Sequence, residues 1–327
     1  MARSYHPLQS LATALKVTRV ARVTGLDRTG VEVACAVRPD GQILQVCNGK
    51  GWDWESAYAS AVFESAELHA AENAYLFFQL LADVDDPLTW SSGRFGGVAG
   101  QTIPMVAVTP LNGTVVSVPA HALVCSRALP GPATVSWSSN GMGAAFSREE
   151  ALAHALDEVW ERHALAVSLP EGWVPEQVAA RRIPFELPRF TAAGFDLAVF
   201  DLSLDEGPWV AGALLFDREE GPVPLAAGYA ARSTLEAAID AAVLEAAQSR
   251  LTEIHAARED VVTRPGPREV RAFAGEILGL APMDKKRKRR AGAWWKGRDV
   301  AYTRLETFRD VWVVKVVAPD LQVSELL

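Results

Sequence analysis

Three apolar stretches of the sequence each carry two polar side chains three residues apart. These pairs are Glu64 and Glu67, Glu158 and Glu161, and Glu245 and Gln248. The surrounding pattern predicts a helix in each case, and a spacing of three residues places both side chains on one helical face. Carboxylate and carboxamide oxygens are ligands that Mg²⁺ accepts. Three such faces that converge would therefore form a site for magnesium and a polyanion.

The same spacing is also common on solvated helix surfaces, where it has no function. The neighbours of these acids favour the first interpretation, since Ala61, Val62 and Phe63 directly precede Glu64. A carboxylate on a mostly buried helix needs a partner or a metal, because burial without one is costly. The pattern alone leaves both interpretations open.

A glycine-containing segment precedes each predicted helix. The segments are NGKG at 48–51, NGMG at 140–143 and AGYA at 227–230. We interpret them as turns whose backbone N–H groups approach anionic phosphates at the following helix. Turns of this kind beside acidic helices predict a magnesium–nucleotide site.

Composition and charge exclude several classes of protein. The chain has 327 residues, a net charge of −8 and 49% hydrophobic residues, enough for one large domain or two ordinary ones. The acidic balance argues against nucleic-acid binding through overall charge. No transmembrane run or signal-peptide core is found, which predicts a cytoplasmic protein with no membrane partner. Its three cysteines are too few and too scattered for a disulfide framework or a zinc site.

The order of predicted elements indicates an α+β fold rather than a regular βαβ alternation. We expect a single domain over 1–327, with a more variable part from about 265. The expected helices are 1–16, 56–81, 147–167 and 233–256. The expected strands are 17–27 paired with 31–39, 43–51, two short strands around Asn112-Gly113, a pair beginning at Asp196 and Trp209, and 311–319. A loop is expected at 90–100.

A basic run at 285–290, KKRKRR, stands out against the acidic chain and is followed by Trp294 and Trp295. One interpretation is a solvated loop. The functional alternative is a contact with an acidic peptide or a partner protein.

The ordered motifs resemble those of the YcaO family, whose members use ATP to activate backbone amides of peptides. The resemblance covers nearly the whole chain and rests on VTRVARVTGLD at 17–27, GKG at 49–51, SNGMGAA at 139–145, EVWER at 158–162 and EAAQSR at 245–250. The first block is most similar to the subgroup that accompanies TfuA proteins and is linked to thioamide formation. The resemblance implies a YcaO-type fold of mixed sheets, with three long helices converging on ATP and Mg²⁺.

The resemblance also implies roles for individual residues. Magnesium and nucleotide would be held by Glu64, Glu67, Glu158, Glu161, Glu245 and Gln248, assisted by Lys50, Ser60 and Asn140. Arg162 and Arg250 would neutralise phosphate charge as catalytic groups, although an ion pair with Glu158 is the alternative for Arg162. The implied reaction is phosphorylation of a peptide amide oxygen, giving azoline heterocycles or thioamides. The sequence does not separate these two products.

Departures from the family pattern bear on partners. The chain ends VAPDLQVSELL and lacks the proline-rich C-terminus of many azoline-forming members. Residues 1–16 are too short for a leader-peptide-binding module. We therefore expect a precursor peptide as substrate and a separate partner, either TfuA-like or leader-peptide-binding, with a homodimer left open. The altered central loop NGMGAAFS favours an alternative, a catalytically impaired module that binds peptide or another modifying enzyme.

Overall fold

A computed structural model describes residues 2–74, 105–113, 117–126, 129, 135–219, 221–255, 266–283, 292–308 and 310–323. The predicted loop at 90–100 and the basic run at 285–290 lie outside these residues. Within them, no helix combines the length and apolar character that crossing a membrane requires.

The N-terminal part forms a three-stranded antiparallel sheet of β1 (Arg19–Arg22), β2 (Glu32–Val37) and β3 (Val46–Gly51), flanked by the helices α1 (Ala2–Ala14) and α2 (Trp54–Asn73). The predicted pairing of the first two strands is confirmed. The first strand is shorter than predicted, because Thr24–Leu26 form a 3₁₀ turn. The Thr24 hydroxyl stabilises this turn by accepting the Val33 N–H at 3.1 Å.

The segment around Asn112-Gly113 contains strands, but they do not form the predicted hairpin. β4 (Met105–Ala107) pairs with β6 (Ser117–Pro119), whereas β5 (Thr109–Asn112) pairs with β12 (Val300–Phe308). The Asn112 carboxamide donates to the Arg298 carbonyl at 2.9 Å, which ties this end of β5 to the segment before β12. The sequence signal for a turn was therefore overridden by pairing with a distant strand.

Two four-stranded antiparallel sheets complete the described architecture. One has the order β5-β12-β13-β7, with β7 at Met142–Ala145 and β13 at Val311–Val317. The other has the order β11-β10-β9-β8, formed by β8 (Arg182–Ile183), β9 (Phe195–Asp201), β10 (Trp209–Asp217) and β11 (Leu225–Arg232). The predicted pairing of β9 with β10 is confirmed. The remaining helices are α3 (Ala120–Leu123), α4 (Arg148–Ser168), α5 (Pro175–Val178), α6 (Pro188–Ala192), α7 (Leu235–Ile254) and α8 (Pro267–Gly279).

The three acidic helices begin close to the predicted positions because each has a side-chain cap. Asp53, Ser147 and Thr234 each accept a hydrogen bond from the backbone N–H three residues later, at the start of α2, α4 and α7. The predicted continuation of the first helix beyond residue 74 lies outside the described residues. α4 and α7 end within two residues of their predicted ends.

The three glycine segments are mainly strand and not the turns predicted from the sequence. Gly49 lies in β3, Gly143 in β7 and Gly228 in β11. A Cβ on Gly49 would lie 2.1 Å from the Ala61 nitrogen, and one on Gly228 would lie 2.2 Å from the Ala246 nitrogen. These glycines therefore allow each strand to approach the backbone of the helix that follows it.

Each strand and its following helix form a unit, and the three units contact one another in a ring. α2 packs on β3, α4 on β7 and α7 on β11. In addition, α2 contacts β7, α4 contacts β11 and α7 contacts β3. Each helix thus lies between its own strand and the strand of the next unit, and this arrangement directs the acidic faces of the three helices toward one region.

Candidate functional site

The carboxylates from α2, α4 and α7 lie close enough to change one another's protonation. Burial raises the pKa of Glu67 well above its usual range, and the charges of Glu158 and Glu64 raise it further. Burial also raises the pKa of Glu161 to about 8, with a contribution from Glu245. The predicted convergence of the acidic pairs is therefore present in the structure.

The second residue of each pair binds the backbone of the next unit in the ring. Glu67 on α2 accepts a hydrogen bond from the backbone of Ala144 in β7. Glu161 on α4 accepts the Ala231 N–H of β11 at 3.1 Å. Gln248 on α7 donates its Nε2–H to the Asn48 carbonyl of β3 at 3.0 Å. These three bonds connect the units. They also explain why Gln248 is the one residue of the three pairs that is not acidic.

Gln248 meets a carbonyl where Glu67 and Glu161 meet N–H groups. A carboxylate cannot donate to a carbonyl, whereas a carboxamide can. Its neighbour Asn48 is buried, and its own carboxamide donates to Thr252 at 3.0 Å. The replacement of glutamate by glutamine in the third pair therefore follows from the polarity of the backbone group that it contacts.

Cationic side chains lie among the acids. The Lys50 ammonium contacts Glu245 at 3.1 Å, and the Arg162 guanidinium lies 3.7 Å from Glu158 and 4.0 Å from Glu161. The ion pair between Arg162 and Glu158, which the sequence left as an alternative, is thus present in this structure. Both cations therefore neutralise acidic charge in this structure.

Lys315 is a third cation at this site, and sequence reasoning missed it. It lies in β13, is 3% exposed, and donates to the backbone carbonyls of Ser138 at 2.6 Å and Asn140 at 2.5 Å. Burial lowers the pKa of Lys315 to about 8, while Glu158 and Glu67 oppose this shift. The available signal was a single lysine within the apolar strand sequence VWVVKVV.

Several buried polar atoms at the site have no hydrogen-bond partner within the described part of the chain. They include the carboxamide oxygens of Gln248 and Asn140 and the Nε of Arg162. Buried polar atoms are normally paired, so atoms of this kind favour a bound group that is polar itself. Two oxygen acceptors suit ribose hydroxyls or magnesium-bound water, and a guanidinium N–H suits a phosphate.

The carboxylates do not form a complete metal cage by themselves. Among the described residues, no three His, Cys, Asp or Glu side chains are grouped closely enough to hold a metal ion. This geometry fits Mg²⁺ that takes only one or two protein carboxylates and completes its shell with water and phosphate oxygens. The residues present therefore fit a magnesium–nucleotide complex better than a bare metal ion.

The structure places two further predicted residues less centrally. Ser60 is half-buried on α2, one turn before Glu64. Arg250 is not brought together with the acids, since its guanidinium pairs with Asp27 at 3.1 Å and Asp217 at 2.8 Å. It also donates to the Val223 carbonyl. Arg250 would have to give up these bonds to bind phosphate, so in this structure it stabilises the packing of α7.

Three strand–helix units around a shared acidic centre define a protein of the α+β class. A family model identifies the class more closely. Residues 48–309 match the model of the YcaO family, described as cyclodehydratases that bind ATP and Mg²⁺. The chain belongs to this family.

Curated relatives are similar over most of the chain. A protein of Mycobacterium tuberculosis, described as uncharacterized, is 32% identical over 78% of this chain and 61% of its own length. A protein of Rhizobium leguminosarum bv. trifolii, described by its position in the tfuA 3′ region, is 29% identical over 76% of this chain and 65% of its own length. The matched part of the chain thus spans less than two thirds of either relative.

Solved structures share the fold. The YcaO protein of Methanopyrus kandleri bound with AMPPCP and Mg²⁺ has a TM-score of 0.74 and 20% identity, covering 97% of this chain and 89% of that one. A chain of the Escherichia coli microcin synthetase McbBCD complex with pro-MccB17 bound has a TM-score of 0.64 and 15% identity, covering 94% and 90%. These similarities confirm the predicted YcaO-type fold.

Proposed function

We propose that this protein is an ATP-dependent enzyme that activates a backbone amide of a ribosomal peptide by phosphorylating the amide oxygen. The observation that carries the proposal is the meeting of Glu67, Glu158 and Glu161 in one buried cluster, where burial raises the pKa of each. Such a cluster is unfavourable without cations, and magnesium with a nucleotide would supply them. The description of the family and the nucleotide bound in the Methanopyrus kandleri structure support this choice of ligand.

In this proposal, the side chains of the acidic centre bind magnesium. Glu64, Glu67, Glu158, Glu161 and Glu245 would hold magnesium ions, each ion taking one or two of these carboxylates, with Gln248 held in place by the Asn48 carbonyl. Magnesium would screen the phosphate charge that otherwise repels a nucleophile. An amide oxygen is a poor leaving group, and phosphorylation converts it into a good one, so positioning the two substrates is the enzyme's main task.

Hydrogen-bond donors beside the acidic side chains would bind the phosphate. Arg162 presents an Nε–H without a hydrogen-bond partner in the described chain, and Lys50 lies 3.1 Å from Glu245. Asn140 and Ser60 would accept from or donate to the nucleotide. We assign no phosphate contact to Arg250, because Asp27 and Asp217 occupy its guanidinium.

Two products are compatible with the same activation. The family description as cyclodehydratases supports azoline formation by a Cys, Ser or Thr side chain of the substrate. The relative encoded in a tfuA region supports thioamide formation with an external sulfur donor. A peptide bound in the microcin synthetase complex supports a precursor peptide as substrate and a separate partner protein. Mass spectrometry would separate the products, since a ring loses one water and a thioamide exchanges one oxygen for sulfur.

Calorimetry of magnesium–ATP binding tests the proposal. Glu158→Gln keeps the side-chain shape but removes a charge that faces Arg162 and Lys315. We expect it to weaken binding at least about tenfold, or about 1.4 kcal/mol. Glu149→Gln is the matched control, because Glu149 is exposed in the first turn of the same helix. Equal binding by wild type and Glu158→Gln would refute the assignment of the nucleotide to this cluster.

The catalytically impaired alternative is tested by turnover. A chain that binds magnesium–ATP but never releases ADP, with its peptide and partner present, would fit a scaffold. The altered central loop NGMGAAFS at 140–147 and the ARED motif at 257–260 are the sequence features that favour it.

A further inference from the structure

Lys315 is buried where the sequence pattern gives no reason for a charge. It lies in β13, between β12 and β7, and pairs with Met142 in the sheet register. Its neighbours Val314 and Val316 are fully buried. A lysine in such a position is costly unless its ammonium is paired, so its partners indicate why it is there.

The Lys315 ammonium holds the backbone just before β7. It donates to the carbonyls of Ser138 and Asn140 at 2.6 and 2.5 Å. In the same loop, the Gly141 N–H donates to a Glu158 carboxylate oxygen at 3.2 Å. The loop is therefore fixed between a cation from the sheet and a carboxylate from α4.

The conformation of this loop leaves little freedom. Gly141 has a φ of +81°, and a Cβ there would lie 2.5 Å from the Val316 carbonyl oxygen. The carbonyls of Ser138 and Asn140 converge on Lys315, while the carboxamide oxygen of Asn140 is buried without a partner in the described chain. Fixing the main chain of Asn140 thereby fixes where this unpaired oxygen lies.

The charge of Lys315 also acts on acids of two helices. Its charge opposes the rise in pKa of Glu67 on α2 and of Glu158 on α4. The same ammonium thus contacts the loop and balances two of the proposed magnesium-binding carboxylates. A neutral side chain of equal length would leave the loop carbonyls unpaired and would remove the positive charge that offsets the repulsion between the two acids.

We propose that Lys315 is a positioning residue of the nucleotide site, which acts by holding Asn140 in the orientation that binds the magnesium–nucleotide complex. This inference rests on the proposed function and adds a residue that the acidic pattern does not contain. Lys315 reaches the ligand only through Asn140 and the two glutamates.

A double-mutant cycle on binding of magnesium and AMPPCP tests this role. We expect Lys315→Met to weaken binding about tenfold or more, and Asn140→Ala to weaken it to a similar extent. If Lys315 acts through Asn140, the double variant binds no more weakly than Lys315→Met alone. Lys296→Met is the matched control, because Lys296 is exposed, and its binding should equal that of the wild type.

A second readout detects the loop directly. Amide hydrogen exchange of the ligand-free protein should become faster at residues 139–143 in Lys315→Met, while exchange in helix α6, which packs in a different hydrophobic cluster from β13, stays unchanged. If Lys315→Met does not fold, Lys315→Gln takes its place in both measurements, because its side chain is uncharged and one bond shorter and so cannot hold both carbonyls as the ammonium does.

The outcomes separate this inference from the proposed function. A wild type that binds no magnesium–AMPPCP overturns both. A wild type that binds, with a lysine variant that binds equally well, overturns the inference alone. Additive losses in the double variant also overturn it, because they show that Lys315 and Asn140 act independently.

Discussion

The most discriminating prediction concerns Arg250, which the sequence places beside the acidic pair of α7 and the structure places in a separate charge cluster. Its side chain is 3% exposed, and its partners Asp27 and Asp217 are 2% and 0% exposed. In Arg250→Gln, Asp217 keeps the Arg28 guanidinium at 2.7 Å. Among these partners, Asp27 is the acid that loses its counter-ion.

Breaking a buried ion pair by removing one partner costs about 3–5 kcal/mol, because the remaining charge stays buried and uncompensated. For a chain of this size we expect the melting temperature of Arg250→Gln to fall by roughly 4–7 °C. Differential scanning calorimetry measures this. Arg28→Gln is the control, since that side chain is 39% exposed and Asp217 keeps Arg250 as its counter-ion, so its loss should cost less than that of Arg250.

A second measurement separates the structural role from a catalytic one. Below its melting temperature, Arg250→Gln should bind magnesium–ATP as the wild type does, and adding Asp27→Asn should recover part of the lost stability by removing the unpaired charge. Unchanged melting with a large loss of nucleotide binding would refute this reasoning. It would restore Arg250 as a phosphate-binding residue.

Two further predictions concern the acidic centre. In ligand-free protein kept in EDTA, the free energy of unfolding should fall by on the order of 1–2 kcal/mol between pH 6.5 and 8, because folded Glu161, whose pKa is about 8, still binds a proton that the unfolded chain has released. In Glu161→Gln, the free energy of unfolding measured by urea titration should change less between these two pH values. An unchanged pH dependence would assign the fall to another titrating group. Gln248→Glu should lower stability by about 1–3 kcal/mol, since a carboxylate cannot donate to the Asn48 carbonyl. Gln248→Met, which loses the bond without adding charge, should be less damaging, and a more stable Gln248→Glu would contradict the explanation.

The sequence allowed the three acidic helices to be predicted because their signals are local. Capping residues such as Ser147 and Thr234 mark the helix starts, and the spacing of the acids defines one face. The glycines of 48–51 and 227–230 were misinterpreted as turns for the opposite reason. Their role is to let a strand approach a helix, and only the packed structure shows this contact.

Two site residues show the limits of reasoning by motif. Arg250 follows Glu245 by five positions, which turns it by about 140° around the helix axis and away from the acidic face. Its proximity in sequence was therefore misleading. Lys315 is far from every motif in sequence, and it joins the site only because β13 pairs with β7.

The ring of strand–helix units gives a physical reason for the repeated pairs. Glu67, Glu161 and Gln248 each use one polar atom to bind the strand of the next unit. A substitution at any of them would therefore alter both the assembly of the ring and the ligand-binding face. Among the first members, Glu245 contacts the Lys50 side chain in β3, whereas Glu158 accepts the Gly141 N–H of its own unit. We therefore expect a substitution of Glu158 to weaken nucleotide binding with little loss of stability, and a substitution of Gln248 to lower both. This contrast distinguishes an acidic centre that binds a ligand from one that only holds three helices together.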